Sequence, residues 1–326
     1  MQKPPSNTQV TVFGGTGFVG RQVVRQLAQA GYRIRVATRK PNENLSVRPL
    51  GDVGQIALVK ADIRNAAQVR EAIVGSSCVV NLVGILRPGG GQSFEALHVQ
   101  GAATIAAACA ATGVLRLVQF SSIGADPNSS SRYAKSRAGG EAAARHAFPG
   151  TTVLRPSIIF GAGDGFFNLF GSLMRWSRFA FPAFGGGKTR FQPIFVGDVA
   201  AAVAGALSND RTRGKTYELG GPAVYTLRQI LEMIANYTDR QRALFTVPFF
   251  ALDIVAALFG WLPFFPLTFD QVRLLKKDNV VKVGPDATAV GTLSDLGVSA
   301  TTVEAIVPAY LVAYRAAGQF TEKHSN

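Results

Sequence analysis

Three glycines spaced three apart, Gly14, Gly17 and Gly20, interrupt a β-branched run in the order Val10-Thr11-Val12-Phe13-Gly14-Gly15-Thr16-Gly17-Phe18-Val19-Gly20. The chemistry this pattern serves is phosphate binding: a strand enters a tight turn, and the following helix N-terminus holds a dinucleotide pyrophosphate. Gly14 allows the turn, Gly17 lets the backbone approach the phosphates, and Gly20 lets the helix pack closely. Thr16, Phe18 and Val19 lie in the same stretch and are predicted to contact the cofactor with them.

About twenty residues further on, an NAD-selective site carries an acidic residue for the adenosine ribose hydroxyls. This chain has Thr38-Arg39-Lys40 there instead. An arginine pairs with a 2′-phosphate and no carboxylate opposes it, so the spacing favours NADP(H), with Arg39 and Lys40 at the phosphate. Two solvated surface cations are the plainer alternative. Ala61-Asp62-Ile63 follows the third strand, where the Asp62 carboxylate could accept from the adenine amino group. A helix N-cap for the segment from Asn65 is an equally physical role for that region. Asn81-Leu82-Val83-Gly84 closes the fourth strand and brings the small backbone of Val83 and Gly84 near the cofactor.

These residues need a parallel sheet to position them, and the rhythm of the chain supplies one. Val23, Val24 and Leu27 continue an apolar stripe at helical spacing, Gly31 ends it, and residues 33–38 read as the next strand. Apolar runs at 56–59, 78–83, 115–120 and 152–154 alternate with helical patterns at 65–74, 93–111 and 132–147. Such alternation predicts an α/β fold, a doubly wound parallel sheet of the Rossmann kind, over residues 1–165. From Phe166 the rhythm is lost, and a smaller, irregular C-terminal lobe is expected over 166–326, with strands of the first domain returning from 190–220.

Composition narrows the function. With 47% hydrophobic and 17% charged residues in 326, the chain can bury a full core. Its formal charge of +14 implies an anionic partner: nucleotide, nucleic acid, acidic lipid headgroups or an acidic protein face. The cations are scattered and lack the interleaved aromatics of a nucleic-acid groove, so no nucleic-acid partner is expected. Three histidines without ligand spacing predict no metal site. Cys78 and Cys109 sit in apolar runs and read as buried reduced thiols. Residues 1–8 are polar and lack the apolar core of a signal peptide, so the chain is expected to stay where it is made.

Taken together, the motifs resemble the short-chain dehydrogenase/reductase superfamily in its extended or atypical branch. The resemblance rests on Gly14 to Gly20, Asp62, Asn81 to Gly84, Ser121-Ser122, Tyr133 and Leu154-Arg155-Pro156, and it implies cofactor contacts at Tyr133 and Pro156. Within that branch, Gln192-Pro193-Ile194-Phe195-Val196-Gly197-Asp198, Thr226-Leu227-Arg228-Gln229-Ile230, Asp270-Gln271-Val272-Arg273-Leu274-Leu275 and Asp278-Asn279-Val280-Val281 are similar to the nucleotide-binding accessory subunits of respiratory complex I, the alpha subcomplex subunit 9 group, and their bacterial relatives. That resemblance implies a chain associated with complex I subunits, lying peripherally on the cytoplasmic side of the inner (plasma) membrane.

The same resemblance puts catalysis in question. An active reductase of this superfamily pairs its tyrosine with a lysine four residues later, whose charge favours the tyrosinate and whose ammonium holds the nicotinamide ribose. Here Tyr133-Ala134-Lys135-Ser136-Arg137 places Arg137 at that spacing and Lys135 on another helix face. A guanidinium keeps the charge and can anchor a ribose but relays protons poorly. The third hydroxyl of the Ser-Ser-Ser/Thr run is replaced by Ile123. Tyr133 and Arg137 are therefore expected to bind a nucleotide that is held without turnover. The alternatives are an active NADPH-dependent oxidoreductase or epimerase acting on a hydrophobic substrate, with Tyr133 as acid, and a redox-sensing regulator.

The run from Pro248 to Pro266 is the most hydrophobic in the chain. Its prolines leave about 14 apolar residues where ~20 are needed, so it cannot span a bilayer. Core packing, a hydrophobic subunit contact, or a helix lying flat at a membrane interface remain open for it. The stretch around Arg175, Trp176 and Arg178 has the same character.

Overall fold

A computed structural model describes residues 8–177, 179–259, 268–282 and 290–315. Six strands come first: β1 (Gln9–Phe13), β2 (Arg33–Thr38), β3 (Ile56–Lys60), β4 (Cys78–Asn81), β5 (Arg116–Phe120) and β6 (Thr152–Pro156). Then follow β7 (Ile159–Phe160), β8 (Ala180–Phe184), β9 (Arg190–Phe191), β10 (Ile194–Phe195), β11 (Thr216–Leu219), β12 (Tyr225–Thr226), β13 (Ala243–Val247) and β14 (Val290–Gly291). The helices are α1 (Phe18–Gln29), α2 (Ala66–Ile73), α3 (Gly101–Ala111), α4 (Arg132–Ala147), α5 (Phe167–Trp176), α6 (Val196–Ser208), α7 (Leu227–Tyr237), α8 (Phe249–Phe259), α9 (Phe269–Leu275) and α10 (Val303–Leu311).

Contacts divide the chain into two units. The first comprises residues 1–156, 196–219 and 281–299; the second comprises 157–195, 220–280 and 300–326. The units are interleaved along the chain: the sequence reading sets the boundary at 165/166 with strands returning from 190–220, and the contacts set it at 156/157 with returns at 196–219 and 281–299. The short segments 196–219 and 281–299 join the first unit because β11 and β14 extend its sheet beyond β6.

The first unit holds an eight-stranded, wholly parallel sheet in the order β14-β11-β6-β5-β4-β1-β2-β3. Strand order reverses at β1, which lies between β2 and β4, and ligands bind outside the carboxyl ends of strands at such a point. Val10, Val12, Val79, Val80, Val153 and Leu154 are fully buried, as strands covered on both faces must be. Helix α1 packs with α6, while α2, α3 and α4 pack in a row. The fold class is the α/β, doubly wound parallel sheet that the alternation predicts.

Helix 132–147 occurs as the pattern requires. Ser131 caps it by accepting from Ala134 N at 3.2 Å, and Arg145 and His146 lie in its last turn. The strand expected over 78–83 stops at Asn81, because the Asn81 side chain accepts from Val83 N at 3.1 Å and turns the chain out of the sheet. The helical pattern at 93–111 contains a π-helical turn, Glu95–Gln100, before α3. Gly140 explains how α4 accommodates that turn: a Cβ there would lie 2.2 Å from the His98 carbonyl oxygen. Both cysteines are buried and free, and burial pushes the thiols up to about 11 for Cys78 and about 12 for Cys109, which leaves them unreactive.

The second unit carries three two-stranded pairings, β10 with β7, β12 with β9, and β13 with β8. Its core gathers Phe160, Phe167, Phe170, Met174, Phe181, Ile230, Ile234 and Val307. Helix α7 begins at a capping box in which Thr226 and Gln229 satisfy each other's backbone N–H groups. Asp164 is buried and accepts from the N–H groups of Gly161, Phe166 and Asn168 and from the Tyr310 hydroxyl.

A buried ion triad ties α4 to the sheet. Arg155 on β6 grips Glu141 of α4 with two hydrogen bonds, at 2.8 and 2.6 Å, and lies 3.7 Å from Glu218 on β11. Glu141 and Glu218 are 5% and 1% exposed, so Arg155 is their compensation, and the Glu141 contact in turn raises the guanidinium's proton affinity. Substituting Arg155→Leu strands two buried carboxylates and is expected to cost ~3–5 kcal/mol, read as a fall in the urea unfolding midpoint. Arg64→Leu, which removes an ion pair open to solvent on the Arg64 side, is expected to shift that midpoint far less. Equal losses in the two variants would refute this account of α4.

Candidate functional site

At the exit from β1 the chain turns through Gly14, whose φ of +79° is left-handed and whose added Cβ would press on the Leu82 backbone at 3.1 Å. The turn thus lies directly against the chain leaving β4. Gly20 is closer still: a Cβ there would lie 2.1 Å from the Gly14 carbonyl oxygen, so any side chain would pry the helix off the turn. Gly17 differs. Its φ and ψ, −76° and 178°, suit any residue, and an added Cβ meets nothing nearer than 3.5 Å. The protein alone does not require glycine at 17; close approach of a ligand to the backbone would. Gly17 is also the N-cap of α1, which has no side-chain cap and no acidic residue in its first turn. Thr16, Phe18 and Val19 are partly exposed around it. This is an open, positively polarised cradle that fits a pyrophosphate.

Arg39 lies exposed at the end of β2. Among the described residues no hydrogen bond engages its guanidinium, although its charge helps hold the Asp62 carboxyl low. Lys40 turns away to pair with Glu43 at 3.0 Å. Asp62 is clamped by Arg64 through hydrogen bonds of 2.6 to 3.2 Å, and this contact above all keeps its carboxyl below the usual carboxylate range. The N-cap of α2 is Asn65, which accepts from Gln68 N at 3.1 Å, so Asp62 does not serve as that cap. Ile63 is buried, and its side chain occupies the space beneath Gly101, leaving only its backbone for a ligand. Pro156 ends β6, and its carbonyl accepts from Ile123 N at 3.0 Å.

The ends of β4, β5 and α4 meet around Tyr133 and Arg137. Arg137 donates from Nε to the Tyr133 hydroxyl at 3.2 Å and from one terminal nitrogen to the Phe120 carbonyl at 3.4 Å. The same guanidinium lies against Gly84, where an added Cβ would be 2.2 Å from one terminal nitrogen. Lys135 is exposed on another face of α4. Tyr133 is buried, and its ring meets Phe94 and His98 edge-on at 5.9 and 5.7 Å. Ser121, at the end of β5, buries a hydroxyl that no described group answers. A buried orphan of this kind is accounted for by a ligand or a water.

His98 is the residue that sequence reasoning missed. Its Nε2 accepts from Ile85 N at 3.0 Å, which places the proton on Nδ1, 2.8 Å from Ser136 Oγ. Ser136 passes its own hydrogen to the Tyr133 carbonyl at 2.7 Å. This chain of donors ties the loop after β4 to the first turn of α4, and Phe94 stacks on the imidazole at 5.3 Å. Burial, then the Arg137 charge, pushes His98 down to about 3, so it stays neutral. The available signal was the Gly139-Gly140 pair, two glycines inside a helix that needed a packing reason. Among the described residues, no group of three or more His, Cys, Asp or Glu side chains stands together as a metal site.

Residues 10–220 match the NAD dependent epimerase/dehydratase family. The chain is 34% identical over 302 residues to NADH dehydrogenase (ubiquinone) 1 alpha subcomplex subunit 9, mitochondrial, of Rattus norvegicus, covering 92% of this chain and 78% of the relative. It is 33% identical over 155 residues to a ceramide reductase of Caulobacter vibrioides, covering 48% of this chain and 47% of that one. The fold is similar to that of DesIV, a dTDP-glucose 4,6-dehydratase from Streptomyces venezuelae solved with NAD and TYD bound, with a TM-score of 0.61 at 22% identity over 74% of this chain and 84% of that one.

Two glycines separate fold from ligand. Gly20→Ala should lower the unfolding midpoint sharply, while Gly17→Ala should leave the stability of the nucleotide-free chain within ~0.5 kcal/mol. Gly17→Ala should nevertheless weaken NADP(H) binding tenfold or more by calorimetry, and wild-type affinity in that variant would rule out close approach at 17. His98 gives a pH signature. An unfolded histidine takes its proton near 6.5 and the folded one only at about 3, so stability should fall as pH drops through that window. The loss is at most ~1.4 kcal/mol per pH unit. His98→Leu should be less stable at pH 7.5 yet decline less steeply toward pH 4 in urea titrations; an unchanged slope would refute the buried neutral imidazole.

Proposed function

Because this chain belongs to the NAD dependent epimerase/dehydratase family and shares the alpha subcomplex subunit 9 sequence over most of its length, we propose that it is an accessory subunit of respiratory NADH:quinone oxidoreductase that holds NADP(H) without turning it over. The observation that carries this reading is the state of Arg137. A lysine at that position would present one mobile ammonium; the guanidinium is spread across the Tyr133 hydroxyl, the Phe120 carbonyl and Gly84 at once. It anchors the end of α4 and is a poor proton relay. Arg39 supports selectivity for the phosphorylated cofactor: it stands exposed at the end of β2, where an NAD-selective site carries an acidic residue. Gly14, Thr16, Gly17, Phe18, Val19 and Gly20 hold the pyrophosphate in this reading, and Val83, Gly84, Tyr133, Arg137 and Pro156 lie toward the nicotinamide end.

A held nucleotide stabilises the folded state by mass action, by ~2.7 kcal/mol at a hundredfold excess over its Kd. The role we assign is therefore assembly or stability of the complex, on the cytoplasmic side of the inner (plasma) membrane and peripheral to it. Helix α8 suits that position. Leu252 and Ala256 pack against Val272, while Phe250, Ile254 and Leu258, each four residues on, stand exposed on another face. Among the described residues no helix is long and apolar enough to cross a membrane.

A second reading, an NADPH-dependent reductase of a long-chain lipid carbonyl with Tyr133 as proton donor, draws on the likeness to the ceramide reductase. The two readings separate in one preparation, the chain isolated from detergent-solubilised membranes. Accessory function predicts respiratory subunits in the same fraction, about one NADP(H) per chain, and no NADPH oxidation above background with quinones or long-chain ketones. Arg39→Glu should weaken NADP(H) at least tenfold and leave NAD(H) nearly unchanged. Sustained turnover that Tyr133→Phe abolishes would overturn the accessory reading and support the reductase.

A further inference from the structure

The second unit carries three guanidiniums side by side. Arg240 is held by the Tyr314 carbonyl at 2.9 Å, and Arg242 by the Ser177 carbonyl at 2.8 Å, so backbone oxygens and not carboxylates fix both. Arg175 stands on the last turn of α5, and burial first, then the charges of Arg242 and Arg175, make the Arg240 cation harder to keep. The adjacent carboxylate, Asp239, sits 3.6 Å from Arg315. Among the described residues, no carboxylate forms an ion pair with Arg175, Arg240 or Arg242.

Two large aromatics flank it. Trp176 follows Arg175 directly and is 77% exposed, and Phe179 is 81% exposed. The β8–β13 register pairs Ala180 with Ala243, which puts Phe179 level with Arg242 on the neighbouring strand. Leu169, one turn and more back along α5, is exposed as well. The core of this unit takes Phe167, Phe170 and Met174 from the same helix, so the outward direction of Trp176 is not for want of an apolar interior.

We propose that this edge, Arg175, Trp176, Phe179, Arg240 and Arg242, is a docking site for an anionic bilayer, with phospholipid phosphates on the guanidiniums and the two aromatic rings set among the headgroups. Arginine forks match phosphate oxygens in pairs, and a tryptophan prefers the level of the headgroups, where one edge of the ring is apolar and the other wet. An acidic protein surface would satisfy the arginines and leave two exposed rings without a reason; a bilayer satisfies both. The proposal rests on reading the chain as a peripheral membrane protein and names the surface, and the lipid charge, by which it attaches.

The test is flotation of the purified full-length chain with vesicles of phosphatidylcholine alone or with phosphatidylglycerol added. Binding is expected only to the anionic vesicles. Arg175→Glu with Arg242→Gln should weaken it tenfold or more, whereas Arg25→Glu with Arg70→Gln, an equal charge change at exposed residues of the first unit, should alter it less than twofold. Trp176→Ser with Phe179→Ser should also weaken binding at least tenfold while leaving nucleotide affinity as in wild type. In a Trp261→Phe background, Trp176 fluorescence should shift to shorter wavelength on anionic vesicles and stay unchanged with inorganic phosphate. Equal losses in the two charge variants would mean diffuse attraction and overturn the site, as would undiminished binding without the aromatics or a fluorescence shift with phosphate alone. A chain that ignores anionic vesicles yet travels with the respiratory oxidoreductase would overturn this surface and leave the accessory reading standing.

Discussion

The first unit depends on how closely backbone meets backbone at the end of β1. Gly14 turns against Leu82 and Gly20 seats α1 on the carbonyl of Gly14, with no side chain between them. That contact fixes α1 relative to β1 and to the chain leaving β4, at the point where strand order reverses. It also leaves the first turn of α1 without a capping side chain, so the unsatisfied N–H groups and the positive end of the helix dipole face outward together. Packing that requires glycine for steric reasons thereby leaves a cradle whose polarity suits an anion. The freedom at Gly17 is the part of the loop that packing does not explain.

Around Tyr133 the same economy of space works against chemistry. Arg137 fills the gap among Gly84, the Phe120 carbonyl and the tyrosine hydroxyl. Its planar fork satisfies several acceptors at once, which rigidifies the end of α4; a reacting centre needs instead a small charge free to follow a proton. The relay from Ile85 through His98 and Ser136 to the Tyr133 carbonyl adds a second brace, and the Arg155 triad a third. Three independent ties on one helix are more than secondary structure requires. They suit a site whose value lies in retaining its ligand.

Much of this was legible in the residues. The parallel sheet followed from alternating apolar runs, and α4 began at its capping serine because Ser131 and the apolar spacing after it agree. The glycine loop was readable because each of its sterically required positions admits one residue type. What stayed hidden depended on contacts remote in sequence. Asp62 could be assigned neither to adenine nor to a cap until Arg64 was seen to hold it and Asn65 to cap α2. Ile63, beside Asp62, gives no sign in the sequence that its side chain fills the space under Gly101, nearly forty residues away. His98 was a lone histidine in an apolar stretch, and only the π-helical turn and the Gly140 contact give it a role. The second return to the sheet, through β14, was hidden for a similar reason: it is two residues long and pairs with β11, some seventy residues earlier.

Charge distribution joins these features. A metabolic enzyme that releases its product gains little from a formal charge of +14, which slows departure of anionic ligands as much as it speeds their arrival. A chain that keeps its nucleotide and stays at a surface gains from both effects. In the first unit Arg155 is matched by Glu141 and Glu218, while the half-buried Arg35 rests on the Ala72 and Val74 carbonyls. On the second unit Arg240 and Arg242 are supported by carbonyl oxygens, which fix geometry without cancelling charge. Carbonyl support lets a cluster of like charges persist in a folded protein, because it lowers the desolvation cost of each cation while leaving the field outside intact.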